Sequence, residues 1–185
     1  MINLKVQIEM LEGNNVNLRV MEKEDIPFYA ELINNPYFGR YIRLIQISKD
    51  HLQKRFSEFG DELQIFIIEK KDRTKIGAVL NFIVKAYPYE LLEIGFFLIP
   101  SERKKGYTSE AVNLLVDYQF LSKEIVRIQA ITDERNIAAQ RVLEKAGFTK
   151  EGIIRKMMFV KGEWINCSLF SILREEWKEP KMIKL

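Results

Sequence analysis

The sequence predicts an α/β fold of the α+β kind, with about seven strands and about four helices, on three observations. Leu91 to Ile99 is apolar apart from Glu93 and Gly95, the length and composition of a strand buried on both faces. Pro100 stops it, because proline cannot donate to a strand ladder, and a short polar turn runs from Ser101 to Gly106. A helix then begins, with Ala111, Leu114, Leu115, Tyr118 and Leu121 on one face. Shorter strand and helix patterns flank this unit on both sides, with no repeat, low-complexity linker or domain boundary between them. One domain is expected over residues 1–185, its core at about 14–174.

In chain order, Val16 to Met21 alternates apolar and polar residues and reads as a first strand. Glu22 to Asp25 opens a helix, with Asp25 and Pro27 suited to its first turn and Phe28, Leu32 and Ile33 on its buried side. Asn34-Asn35-Pro36 ends it. Ser48 caps a second helix running to about Gly60, with Leu52, Phe56 and Phe59 on one side. Leu63 to Glu69 and Lys75 to Lys85 form a hairpin across the charged turn Lys71 to Thr74. Tyr87-Pro88-Tyr89 is a loop leading into the long apolar strand. After the helix at Ala111, Val126 to Thr132 is a short buried strand. Asp133 to Asn136 starts the last helix, with Ala139, Val142, Leu143 and Ala146 inward and Gly147 as its C-cap. Strands at about Gly152 to Val160 and Trp164 to Leu173 close the fold around the turn Lys161-Gly162-Glu163. Glu175 to Leu185 is charged and is expected to trail on the surface.

Composition excludes several classes. The chain is 47% hydrophobic and 30% charged, as ordinary globular domains are. Its 29 basic and 26 acidic residues are well mixed, and the net charge of +3 is too mild to argue for nucleic acid. MINLKVQIEMLEG lacks the apolar run of a signal peptide, and no stretch approaches a membrane span. One cysteine, Cys167, allows no internal disulfide and suits a reducing cytoplasm. Nucleic acid and membrane are not expected partners, and the chain is expected to act as a monomer or homodimer.

The chemistry lies in the turn. A helix start carries unpaired N–H groups and a partial positive charge, so it binds anions. Arg103, Lys104 and Lys105 precede it, and Gly106 lets the backbone approach a ligand closely. These residues describe a seat for a phosphate or pyrophosphate; a solvated basic turn is the alternative reading. The chain has no G-x-x-x-x-G-K-[ST] and no G-x-G-x-x-G here, which argues against a nucleoside triphosphatase and a dinucleotide-binding domain.

Arg103-x-x-Gly106-x-Thr108 resembles the acetyl-CoA loop of the GCN5-related N-acetyltransferases (GNAT), written [QR]-x-x-G-x-[GA], with Thr108 departing from the usual Gly or Ala. Asn136-x-x-Ala139, Val142 to Phe148 and Glu151-Gly152-x-x-Arg155 resemble the branch that acetylates ribosomal-protein N-termini (RimJ/RimL-like), as does Gly106 to Ala111. The matches span about Arg19 to Leu173. The resemblance implies a mixed, mostly antiparallel sheet with a splayed central pair and acetyl-CoA as co-substrate, without a metal. It implies that backbone N–H groups from Arg103 to Ser109 (Lys104, Lys105, Gly106, Tyr107 and Thr108 between them) hold the pyrophosphate. It also implies that the backbone of Phe97, Leu98 and Ile99 pairs with the pantetheine arm. Asn136 would bind the arm near the thioester or simply cap its helix.

Such a transfer needs a neutral amine, so a base or a desolvating pocket must remove a proton. Glu93, the one charge in a long apolar strand, is the candidate base; a structural carboxylate is the other role open to it. Relatives place a tyrosine at the position of Leu143 or a serine at that of Ala139 as proton donor. Neither donor is present, which leaves Tyr107, Ser109, Ser168 and water. Cys167 has no histidine beside it in sequence, so direct attack on acetyl-CoA is simpler than a covalent route; His51 reads as a surface helix residue. The expected function is acetyl transfer to a primary amine, either a protein N-terminus or a small amine such as a polyamine, antibiotic or amino sugar. Arg40, Tyr41 and Arg43, between the first two helices, point to an acidic or carboxyl-bearing acceptor. The competing class is a CoA-binding module without turnover.

Overall fold

The computed structural model describes residues 10–38, 48–58, 62–86 and 89–182. Eight strands form one sheet in the order β1-β2-β3-β4-β5-β6-β8-β7. They are β1 (Met10–Glu12), β2 (Val16–Val20), β3 (Leu63–Lys70), β4 (Lys75–Ala86), β5 (Tyr89–Leu98), β6 (Arg127–Asp133), β7 (Thr149–Val160) and β8 (Glu163–Leu173). The helices are α1 (Ile26–Ile33), α2 (Lys49–Glu58), α3 (Tyr107–Ser122) and α4 (Ile137–Ala146). Every neighbouring pair is antiparallel except β5 and β6, which the α3 crossover makes parallel. The sequence reading missed β1, a strand of 3 residues too short for any periodicity.

The two faces of the sheet carry separate cores. On one, Leu92, Ile94 and Leu98 of β5, Ile128 and Ala130 of β6, and Phe170 and Ile172 of β8 pack with α3 and α4. On the other, Ile65 and Ile67 of β3 and Ala78 of β4 pack with Ile26, Tyr29 and Ala30 of α1 and Leu52 of α2, and Phe97 and Ile99 join their edge. The strand expected to be buried on both faces is not: Glu93, Gly95 and Phe97 are half-buried, because β5 loses its β6 neighbour part-way along.

Other expectations shift by a few residues. Glu22 starts a single turn of 3-10 helix at Lys23–Asp25 before α1, and Ser48 Oγ accepts the His51 N–H at 3.1 Å, as a cap should. Tyr89 belongs to β5 rather than to a loop. Leu121 and Val126 are exposed at 40% and 76%. Arg40, Tyr41, Arg43, Phe59 and Gly60, with Tyr87 and Pro88, lie outside the described residues.

The described part of the expected surface tail, up to Met182, is exposed or half-buried and is tied to α3 and α4. Trp177 stacks on Phe120 at 5.3 Å between ring centroids and donates its indole N–H to Asp117 Oδ1 at 2.8 Å. The Met182 N–H takes Asp117 Oδ2 at 2.7 Å, and Lys181 reaches the Ala146 carbonyl at 2.9 Å. Asp117 is thereby buried on α3 with both oxygens bonded, which a buried carboxylate requires.

A clasp of charges ties the start of α1 to the sheet. Arg19 of β2 donates to both Asp25 oxygens at 2.9 Å and to Glu69 of β3 at 2.9 Å, and Lys75 of β4 reaches Asp25 at 2.5 Å. Burial alone would raise the Asp25 pKa; the hydrogen bonds from Arg19, Lys75 and the Glu22 N–H outweigh it and hold the group at about 2. The folded pKa is below the unfolded one, so this stability is present above about pH 4 and lost as pH falls through 2. Asp25→Asn should cost about 2 kcal/mol at pH 6 by urea denaturation, with the gap to wild type closing between pH 4 and pH 2.

Candidate active site

Pro100 to Glu102 forms one 3-10 turn after β5, and the chain then bends through Lys104 (φ 63°) and Gly106 (φ 86°) into α3. Left-handed residues in such a turn let successive N–H groups point toward one concavity. The N–H groups of residues 104–109 have no protein acceptor among the described residues, as a helix start dictates. A Cβ built on Gly106 meets nothing within 4 Å, so the space in front of the turn is open. Lys104 and Lys105 are exposed beside it, Lys105 held by Glu102 at 2.9 Å, and Tyr107, Thr108 and Ser109 are half-buried.

Glu110, in the first turn of α3, anchors this helix start. Its carboxylate accepts the Asn15 N–H at 2.7 Å, the Asn15 side-chain amide at 2.8 Å and the Val16 N–H at 3.1 Å. The β1–β2 turn comes so close that a Cβ on Gly13 would lie 2.5 Å from the carboxylate. Three donors on one carboxylate, at the positive end of a helix, fix the turn against α3. Glu110→Ala leaves the Asn15 and Val16 donors unpaired and should cost about 1–3 kcal/mol of stability, read as a lower urea midpoint. The altered helix start should also weaken CoA binding measured by calorimetry.

Beyond the turn lies a gap in the sheet. β5 and β6 pair only at Leu92–Ile128 and Glu93–Gln129, then part, although β5 continues to Leu98 and β6 to Asp133. The Ile99 N–H donates to the Ile76 carbonyl at 2.9 Å, so Ile99 and, by alternation, Phe97 spend their backbone groups on β4. Phe96 and Leu98 turn theirs to the gap. Of the three residues expected to pair with the arm, only Leu98 turns its backbone groups to the gap, and Phe96 does so as well. The Leu98 carbonyl is already engaged by Arg103, whose Nε and Nη2 donate to it at 3.2 and 3.0 Å. The Arg103 guanidinium also stacks 3.6 Å from the centroid of the Tyr37 ring. Arg103 therefore braces β5 against the segment after α1.

Glu93 stands at the last paired rung, on the α1–α2 side of the sheet. Burial raises its pKa, and the one hydrogen bond it makes among the described residues, from Gln129 Nε2 to Oε2 at 2.9 Å, partly opposes that. Asn136 caps α4, its Oδ1 accepting the Ala139 N–H at 3.2 Å, while its Nδ2 hydrogens make no bond among the described residues. Leu143 and Ala139 are buried in the core and offer no proton. Ser168 Oγ is fully buried with no hydrogen-bond partner among the described residues, on the strand behind β6 and on the face opposite Glu93. Cys167 is buried, its thiol pushed up to about 11 chiefly by burial, so it is not a ready nucleophile.

A splayed parallel pair opening onto the bare N-terminus of the intervening helix defines the acetyl-CoA-dependent N-acetyltransferases. The chain belongs to this family: residues 15–149 match the model of the acetyltransferase (GNAT) domain. It is 31% identical over 180 residues to a probable N-acetyltransferase of Bacillus subtilis, YjcK, an alignment covering 90% of this chain and 98% of that one. The spermidine N-acetyltransferase of Vibrio cholerae, solved with CoA and spermine, superposes with a TM-score of 0.80 at 23% identity, over 89% of this chain and 99% of that one. The ribosomal-protein-S5-alanine acetyltransferase of Vibrio fischeri also gives 0.80 at 23% identity, over 92% and 99%.

Proposed function

We propose that this N-acetyltransferase acts on the α-amine of a protein or peptide N-terminus, with Glu93 as its base. The observation that carries the reading is the Glu93–Gln129 rung. It puts a half-buried carboxylate at the inner end of a gap whose outer end is the open N–H set of residues 104–109. The pyrophosphate would sit on those N–H groups, and the pantetheine amides would pair with Phe96 and Leu98 as an added strand does. Asn136 Nδ2 is the donor available on the α4 side.

Glu93 then takes one proton from the nitrogen, directly or through a water. The neutral nitrogen bonds to the thioester carbonyl carbon and gives its second proton to solvent, the C–S bond breaks and CoA leaves as a thiolate, which solvent protonates. The products are the amide and CoA thiol, and Glu93 returns its proton to water. No acyl-enzyme is needed, in keeping with the buried Cys167.

The acceptor is read from charge. Tyr37 to Ile47 carries Arg40 and Arg43 and no acidic residue. Asp133 on the neighbouring β6 is already bound by Arg135 at 2.7 Å, and Glu151 on β7 by Arg127 at 3.0 Å. This surround suits a peptide with carboxyl groups better than a polycation. The second reading, a polyamine, is favoured by the spermidine N-acetyltransferases among the relatives. Free-thiol release from acetyl-CoA, measured with N-terminal peptides and with spermidine, separates them. The peptide reading expects kcat/KM at least tenfold higher for peptides. Preference for spermidine overturns it, and no release with any amine leaves a CoA-binding module. A reducing cytoplasm is the compartment proposed for the reaction, on the strength of a single, buried cysteine.

A further inference from the structure

We infer that Gln129 is a positioning residue for Glu93: from β6 it anchors one carboxylate oxygen at the point where the strands part and leaves the other for the amine. This rests on the reading of Glu93 as the base. Gln129 is 7% exposed, and its Nε2 donates to Glu93 Oε2 at 2.9 Å across the last rung of the parallel pair. Glu93 Oε1 makes no hydrogen bond among the described residues. Anchoring the carboxylate at the gap thus depends on one amide.

The surroundings explain why a neutral donor serves better than a cation. An arginine there would pull the carboxylate well down and make it a weak base. Glutamine orients the group and favours its charged form without neutralising it. Among the described residues, the groups on this side of the sheet are otherwise apolar or already committed. Across β4 it meets Phe82, and α1 turns Ile26, Tyr29 and Ala30 to this side of the sheet. On the far side of Gln129 lies Ser171 of β8, whose hydroxyl donates to Glu151. Arg127, two residues before Gln129 on β6, is held by the same Glu151 at 3.0 Å. Of these described groups, neither cation nor hydroxyl is left to replace Gln129.

The test is the pH dependence of kcat with saturating acetyl-CoA and a peptide amine, for wild type, Gln129→Leu and Glu93→Gln. Loss of the amide removes a bond to the charged form, so the Glu93 carboxyl holds its proton to higher pH. Gln129→Leu should therefore move the acid limb upward. It should run about three- to tenfold below wild type on that limb and rejoin it within about twofold at high pH. Calorimetry should show unchanged CoA affinity. Should Gln129→Leu fail to fold, Gln129→Glu keeps the shape and carries the same test, because paired carboxylates share a proton and the limb again moves upward. A limb that stays at its wild-type pH in these variants, with activity lowered evenly at every pH, overturns the inference and leaves Gln129 a packing residue. If Glu93→Gln itself keeps the wild-type limb, the base is elsewhere and the reading beneath the inference fails instead.

Discussion

Glu93→Gln should lower turnover about 10²-fold or more at pH 7 with saturating substrates, while acetyl-CoA binding stays close to wild type. The glutamine keeps the shape of the side chain at the rung and loses its basicity. Burial raises the Glu93 pKa toward the range useful to a base, and the Gln129 hydrogen bond opposes this only in part. The wild-type rate should climb with pH through that raised pKa and then level. The variant should keep climbing where the free amine supplies itself, so the gap narrows at high pH. Steady-state kinetics from the ordinary carboxylate range, about pH 4.5, up to about pH 10 check this. Wild-type turnover in the variant at pH 7 would make Glu93 a structural carboxylate and leave the amine to lose its proton to the pocket or to water.

Gly106→Val should weaken CoA binding at least tenfold, or ~1.4 kcal/mol, by calorimetry. The cause differs from a simple clash in the free protein, since a Cβ there meets no atom within 4 Å. One part is conformational. Gly106 sits at φ 86° as the N-cap of α3, a region costly for any side chain and most costly for a β-branched one. The other is steric toward the ligand, because the valine side chain would occupy the open space in front of the N–H groups of residues 104–109. Gly106→Ala should show a smaller loss. Unchanged affinity in the valine variant, with the fold intact by circular dichroism, would remove this turn from the site.

The strand–turn–helix unit was legible because its signals are local. Pro100 ends β5, Gly106 turns the chain and the apolar spacing of α3 follows directly. Glu93 stood out as a lone charge in an apolar run. What could not be read depends on register and long-range pairing. That Phe96 and Leu98, not Phe97 and Ile99, turn their backbone groups to the gap is a matter of parity, set by which residues pair with β4. Gln129 looked like an ordinary polar residue in a short strand until the parallel register put it opposite Glu93. Glu110 and Asp117 each bind segments far away in sequence, Asn15 in one case and Trp177 in the other. Arg103 read as a phosphate cation from its neighbours, yet its guanidinium packs on Tyr37 and the Leu98 carbonyl.

The central claim is that the cofactor arm enters the gap between β5 and β6 as an added strand, and amide hydrogen exchange followed by NMR with and without CoA tests it most directly. The Phe97 and Ile99 amides are paired to β4 in the free protein and should change little on binding. Those of Phe96 and Leu98 should become protected, together with amides of residues 104–109. Protection that appears elsewhere, or a bound state in which Phe96 and Leu98 exchange as fast as before, would contradict it.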